Sequence, residues 1–327
     1  MTGELVAILA GLVALTLGAE LLVRGAASLA GRLGLTPLVI GLTVVAFGTS
    51  LPELVVSVQS AATGRGTVAL GNVIGSNIFN VGVILGVVAL LRPIGVSLAV
   101  LRRDAPMVLA VSLALASLLL LPILGRLVGG GLLLALVGYT AWNVVLARRE
   151  ATAAPAVAFD AGVPRPSGRF WRDLSLVVAG LLLLVLGGRF LVEGAVGLAR
   201  RLEMSERVIA LTVIAAGTSL PELATSVVAA ARRQTELAVG NILGSNVFNV
   251  LGILGVAALV RPLPVLEQAW FDVGVMVLLA LILWPLLWTG RRLQRWEGVL
   301  LLAVYAAYLL ALLASAPAAM AAPAPSA

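Results

Sequence analysis

The sequence predicts an all-α membrane protein of ten transmembrane helices, arranged as two inverted-topology five-helix repeats. Three observations carry this prediction. The 327 residues are 61% hydrophobic and 11% charged, with a mean hydropathy of +1.12, whereas soluble chains hold about 25% charged residues. Apolar stretches of about 20 residues recur from end to end, each long enough to cross a ~30 Å hydrocarbon core. One block of sequence also occurs twice. The weak alternation in ~10-residue segments that marks a membrane β-barrel is absent, so the spans are helices.

The first span begins around Leu5 with no basic stretch before it. It runs to Ala30, too long for a signal-peptide core. Hydropathy then breaks near Gly34, Gly64, Arg92–Arg103, Pro122–Arg126, Arg148–Arg172, Arg200–Arg207, Arg232–Gln234, Arg261–Gln268 and Gly290–Arg295. These breaks delimit ten spans. They divide the chain into a first repeat over 1–147, a connecting loop over 148–172, a second repeat over 173–314 and a tail over 315–327. Pro155, Pro164 and Pro166 keep the connecting loop irregular. The Ala/Pro-rich tail has too little to bury and reads as disordered.

Composition excludes several chemistries. With no cysteine there are no disulfides, thiolate nucleophiles or cysteine metal sites. With no histidine there is no imidazole acid–base chemistry and no histidine ligation of transition metals. The net charge of +7 comes entirely from arginine, and in a membrane chain it reads as loop bias rather than a nucleic-acid footprint. Loops after the odd-numbered spans hold Arg32, Arg92, Arg102, Arg103, Arg148, Arg149, Arg165, Arg169, Arg172, Arg232, Arg233, Arg291, Arg292 and Arg295. The other side holds Arg65, Arg126, Arg200, Arg201, Arg207 and Arg261. The positive-inside rule therefore places both termini outside and loop 148–172 in the cytoplasm of a prokaryotic plasma membrane.

Thr43–Pro93 aligns without a gap on Thr212–Pro262 at a constant offset of 169, with 31 identities in 51 positions. Five spans separate the copies, and an odd number of crossings inserts the second copy upside down. Inverted repeats of this kind occur in secondary transporters, whose substrate site lies near the midplane where the copies meet. A duplicated scaffold with no transport role is the plain alternative. It does not explain why the shared residues are the polar ones.

Copy one reads GTSLPE over 48–53 and GNVIGSNIFN over 71–80; copy two reads GTSLPE over 217–222 and GNILGSNVFN over 240–249. Glu53 and Glu222 each fall about halfway through an apolar span. An ionised carboxylate there costs several kcal/mol unless it faces water, the bundle interior or a cation. A buried pairing with arginine is the bland reading. Arg24 and Arg189 are the only arginines inside spans, however, and Glu20 and Glu193 lie closer to them at i,i+4. Glu20–Arg24 maps by the offset onto Arg189–Glu193 with its signs exchanged, as a pair that makes two charges tolerable near the interface. A bound cation is therefore the better counter-charge for the two glutamates.

Thr49 and Ser50 precede Glu53 by four and three residues and share its helix face, as do Thr218 and Ser219 with Glu222. Ser76 with Asn80, and Ser245 with Asn249, are i,i+4 pairs on the following helices. Pro52 and Pro221 donate no backbone hydrogen bond, which makes carbonyls near Ala46–Gly48 and Ala215–Gly217 candidate ligands. Two carboxylates with hydroxyls, amides and carbonyls form an all-oxygen cage suited to Ca²⁺ and adaptable to Na⁺. Gly71, Gly75, Gly240 and Gly244 read as packing positions. Asn72, Asn77, Asn241 and Asn246 read as hydrogen-bond glue between helices.

GTSLPE followed by GNxxGSNxFN, in two copies across ten spans, resembles the bacterial and archaeal branch of the sodium/calcium exchanger family, over about residues 4–313. The resemblance implies an alternating-access antiporter that exchanges Na⁺ for Ca²⁺, with spans 2, 3, 7 and 8 as the ion core and spans 1 and 6 sliding across it. It implies ligands at Ala46, Thr49, Ser50, Glu53, Ser76 and Asn80, and at Ala215, Thr218, Ser219, Glu222, Ser245 and Asn249. Relatives often carry aspartate at the position of Asn249, whereas both copies here have asparagine. The cage therefore holds two formal charges, which still neutralise one Ca²⁺.

The expected substrates are Ca²⁺ and Na⁺, with the lipid bilayer as environment, no cofactor and no enzymatic activity. A Ca²⁺/H⁺ or K⁺-dependent exchanger on the same scaffold is the runner-up. A channel is disfavoured because channels commonly use rings of carbonyls or charges in symmetric oligomers. No GxxxxGK[ST] loop is present and no loop is long enough for a nucleotide domain, which argues against an ATP-driven pump.

Overall fold

The computed structural model describes residues 2–153, 170–202, 215–265 and 269–315. The middle of the connecting loop, the start of span 7 and the Ala/Pro-rich tail lie outside the described residues. In chain order the helices are α1 (Thr2–Leu33), α2 (Pro37–Thr49), α3 (Leu51–Ala62), α4 (Gly66–Leu91), α5 (Ala105–Leu118) and α6 (Arg126–Ala153). They continue with α7 (Phe170–Arg201), α8 (Leu220–Ala231), α9 (Thr235–Val260), α10 (Ala269–Trp288) and α11 (Arg295–Ser315).

Among the described residues seven helices are long and apolar enough to cross a membrane, and α2 with α3, bent by 47°, makes an eighth. The chain is thus an all-α membrane protein. One of the ten expected spans is shorter among the described residues. The 14-residue α5 follows a π-helical turn over Val100–Asp104. Of span 7 the described residues include the turn Ala215–Gly217 and the 12-residue α8. At the centre of the chain α6 runs through Ala153 and α7 starts at Phe170. Both ends reach into the stretch read as connection, because Ala, Arg and Glu are good helix formers.

One arginine departs from expectation. Arg103, assigned to a loop, is helical and 9% exposed, and its Nε lies 2.9 Å from Oδ1 of the buried Asp104. Its charge is met by its own neighbour. Arg24 pairs with Glu20, and Arg189 with Glu193 at 2.7 Å, as the i,i+4 spacing predicts. Glu20 also pairs with Arg232, just past the end of α8.

Helices α4 and α9 form the interior, with Val73, Ile74, Ile78, Ile242 and Val247 at most 1% exposed. Helices α1 and α7 lie antiparallel at the periphery. Arg201 meets Glu4 at 2.6 Å at one end of the pair, and Arg32 meets the buried Asp173 at 3.5 Å at the other. Glycines set their separation. A Cβ at Gly18 would stand 2.8 Å from the Gly180 carbonyl, and one at Gly187 would stand 2.7 Å from the Leu15 amide. Such backbone-to-backbone contact is how apolar helices associate where lipid supplies no hydrophobic drive. The offset of 169 carries Gly11, Gly18 and Gly25 onto Gly180, Gly187 and Gly194.

Two strand clips join the halves outside the helices. Ile94–Gly95 pairs antiparallel with Arg292–Leu293, and Ile123–Leu124 pairs with Leu263–Pro264. Shifting by 169 converts the first pairing, Ile94 with Leu293, into the second, Leu263 with Leu124.

Candidate cation site

Proline makes the break on which the site is built. Pro52 has no N–H to donate to the Gly48 carbonyl, and Ser50 adopts φ −83°, ψ 9°, ending α2 and starting α3. Ser219 before Pro221 repeats this with φ −87°, ψ 8°. Glu53 and Glu222 consequently stand in the first turns of α3 and α8, where the helix dipole favours negative charge. Both are completely buried. Among the described residues neither carboxylate pairs with an arginine.

Each carboxylate is held by the serine of the other repeat. Ser50 Oγ donates to Glu222 Oε1 at 2.7 Å, and Ser219 Oγ donates to Glu53 Oε1 at 2.9 Å. The Ser50 and Ser245 hydroxyls lie 3.1 Å apart. Among the described residues the second oxygen of each carboxylate, Oε2, has no hydrogen-bond partner. Neither do Ser76 Oγ, Asn80 Oδ1, Thr218 Oγ1 and Asn249 Oδ1, all buried. Leaving one buried polar atom unsatisfied costs about 1–3 kcal/mol. Six such oxygens fall on residues that the sequence predicts as ligands.

The asparagines outside that set are the glue. Asn72 Nδ2 donates to the Glu53 carbonyl at 3.3 Å and to Ser57 Oγ at 2.9 Å. Asn241 repeats this on the Glu222 carbonyl and Ser226 Oγ at 3.4 and 3.0 Å. Asn80 Nδ2 donates to Asn246 Oδ1 at 3.4 Å, and Asn249 Nδ2 donates to Asn77 Oδ1 at 3.0 Å. Both candidate amides thus spend their N–H₂ on the opposite repeat and keep the oxygen free. Asn80 and Asn249 also open the π-helical turns Asn80–Leu85 and Asn249–Ile253, a geometry frequent at functional sites. The hydrophobic pattern gave no sign of these turns.

The backbone candidates need a correction. The Ala46 carbonyl is not released by Pro52: it accepts from the Ser50 N–H at 3.1 Å and from Thr49 Oγ1 at 3.4 Å. Proline removes the donor to the residue four earlier, Gly48, and leaves the bond from Ser50 to Ala46 in place. Ala215 begins the short turn Ala215–Gly217.

The two halves differ at their threonines. Thr49 Oγ1 lies 3.1 Å from Asn241 Oδ1, whereas Thr218 Oγ1 has no hydrogen-bond partner among the described residues. Thr218 borders a cavity of about 750 Å³ that also touches Pro52, Pro221, Gly188, Arg189 and Glu193. Sequence reading could not have found this asymmetry, because the two motifs are identical there.

The family described as sodium/calcium exchanger protein matches residues 3–145 and 173–314. The chain belongs to the sodium/calcium exchanger family. Its activity is that of a Na⁺/Ca²⁺ antiporter in a membrane. It is 40% identical over 310 residues to the putative antiporter CaxA of Alkalimonas amylolytica, covering 92% of this chain and 96% of that one. It is 33% identical to the sodium/calcium exchanger MaX1 of Methanosarcina acetivorans, covering 95% and 99% of the two chains. Its fold superimposes on the sodium-calcium exchanger NCX_Mj, soaked without Na⁺ and Ca²⁺, with a TM-score of 0.81 at 30% identity, over 95% of this chain and 99% of that one.

Proposed function

We propose that this exchanger carries Na⁺ and Ca²⁺ alternately through one cage. Its members are Thr49, Ser50, Glu53, Ser76 and Asn80 of the first repeat and Ala215, Thr218, Ser219, Glu222, Ser245 and Asn249 of the second. The observation that carries this reading is the pair of buried carboxylates, each bridged by the opposite repeat's serine and each keeping one oxygen free. Two carboxylates neutralise one Ca²⁺, and the hydroxyl and amide oxygens complete a hard-ligand shell. Na⁺ takes the same oxygens one charge at a time, so the two ions compete and exchange follows.

The reading extends to the architecture. Ten spans form two inverted five-helix repeats, and α1 with α7 slides across the core as a unit. The glycine seam, with its ion pairs at both ends, makes that pair a coherent body. The 750 Å³ cavity borders Thr218 on one side, and Asn241 covers Thr49 on the other. Sliding exchanges these roles. Both termini lie outside and the connection after α6 lies in the cytoplasm.

Purified protein in liposomes tests the proposal. Ca²⁺ uptake driven by an outward Na⁺ gradient is expected, and it should vanish in Glu53→Gln and Glu222→Gln. Uptake that follows only a pH gradient, that requires K⁺, or that needs no counter-ion would replace the reading with a proton-coupled exchanger, a K⁺-dependent exchanger or a channel respectively.

A further inference from the structure

Away from the cage, the arginine-rich side of the molecule carries a hollow of about 590 Å³ where three connections meet: α4 to α5, α8 to α9 and α10 to α11. Four arginines line it, Arg92, Arg233, Arg292 and Arg295. None of them has a partner among the described residues. Four guanidiniums around one hollow repel one another unless an anion joins them. The starts of α9 at Thr235 and α11 at Arg295 add the partial positive charge of two helix N-termini. Glu236 lines the adjoining hollow and pairs with none of the four.

The internal repeat supplies a control. At the offset of 169, Arg92 and Arg295 correspond to Arg261 and Arg126 on the opposite face, whereas Arg233 and Arg292 correspond to Gly64 and Ile123. There the two arginines are engaged by protein: Arg126 Nε donates to the Leu259 carbonyl at 3.1 Å, and the Arg261 guanidinium lies over Gly64. At these matched positions the hollow holds four arginines against two, with no such engagement among the described residues.

The backbone gives an independent sign. Gly64 has φ +84°, as its turn requires, and Arg233 occupies the matching turn with φ +64°. Among the described residues only Arg233 and Arg291 are non-glycine with positive φ, and they line this hollow and the adjoining one. Left-handed backbone is disfavoured for a side chain with a Cβ, and such strain gathers where function requires a particular residue. Glycine would relieve it, yet arginine stands in both places.

The setting identifies the anion. Trp288 and Trp296, at the ends of α10 and α11, are 48% and 58% exposed, and Leu91 beside Arg92 is 56% exposed. Exposed tryptophans at helix ends mark the headgroup level of a bilayer, and basic hollows between helices at that level suit phosphate headgroups. We propose that this hollow binds the phosphate of an anionic phospholipid, holding together the three connections at the ends of α4, α9 and α11.

Native mass spectrometry of the detergent-purified protein titrated with phosphatidylglycerol tests this, with phosphatidylcholine as the reference lipid. Each arginine removed should weaken phosphatidylglycerol binding about fivefold. Arg233→Gly with Arg292→Gln should therefore weaken it about 25-fold, with a melting temperature no lower than the parent's as the check on folding. Unaltered binding in that pair overturns the proposal, as does an equal loss in Arg126→Gln with Arg261→Gln, which would report net charge alone. Protection of the protein against heat by inorganic phosphate as strongly as by phosphatidylglycerol would also overturn it, in favour of a soluble anion.

Discussion

Ser50 donates to the carboxylate of Glu222 at 2.7 Å across the two halves of the molecule, and Ser219 returns the bond to Glu53 at 2.9 Å. Each half therefore positions the other's charge, and each glutamate is left with one oxygen free.

Glu53→Gln and Glu222→Gln should each abolish Ca²⁺ transport and leave the fold intact. A glutamine keeps the size and one acceptor oxygen but leaves a divalent ion short of one negative charge in a site of low polarity. Na⁺-gradient-driven Ca²⁺ flux at the parent rate in either variant would remove the carboxylates from the site.

Ser50→Ala and Ser219→Ala should lower apparent Ca²⁺ affinity about tenfold each, the effect of losing a hydrogen bond to a charged group worth about 1.5 kcal/mol. The maximum rate should fall far less than in the glutamine variants. Calorimetric titration with Ca²⁺ reads the affinity directly.

Gly18→Leu places a side chain where even a Cβ would stand 2.8 Å from the Gly180 carbonyl. Forcing α1 and α7 apart should destabilise the protein by about 1–3 kcal/mol and slow transport. The cage is formed by other helices, so Ca²⁺ binding should persist. Loss of binding together with transport would show that the seam and the cage are not separable.

Asn249→Asp tests the position where relatives often carry a carboxylate. Asn249 Nδ2 donates to Asn77 Oδ1 at 3.0 Å, so the substitution removes that donor and adds a third carboxylate beside Glu53 and Glu222. Protons then compete with the cation for an additional ligand. Ca²⁺ titrations from about pH 5 to 8, a range that spans perturbed carboxyl groups, should show steeper pH dependence than in the parent. Parallel curves would place residue 249 outside the cage.

Cysteines introduced at Ala153 and Ala318 in this cysteine-free chain should label from opposite faces, with Ala153 cytoplasmic. Labelling of both from one face by a membrane-impermeant reagent would refute the ten-span arrangement.

The sequence by itself determined the membrane-helical class, the duplicated polar motifs and the family. Each of these follows from composition and spacing, which hydrocarbon enforces strictly: charge is rare in the spans, so Glu53 and Glu222 stand out. It also pointed to Asn72 and Asn241 as hydrogen-bond glue between helices, which their bonds to the Glu53 and Glu222 carbonyls bear out. Only the tertiary structure decided which oxygens remain free. Thr49 and Thr218 share one motif, yet Asn241 meets the first, while the second has no hydrogen-bond partner among the described residues and borders the cavity. Likewise the π-helical turns at Asn80 and Asn249 and the burial of Arg103 against Asp104 leave no periodic trace in the chain. Identical segments meet different neighbours because packing between distant helices, which no single segment encodes, sets what surrounds each copy.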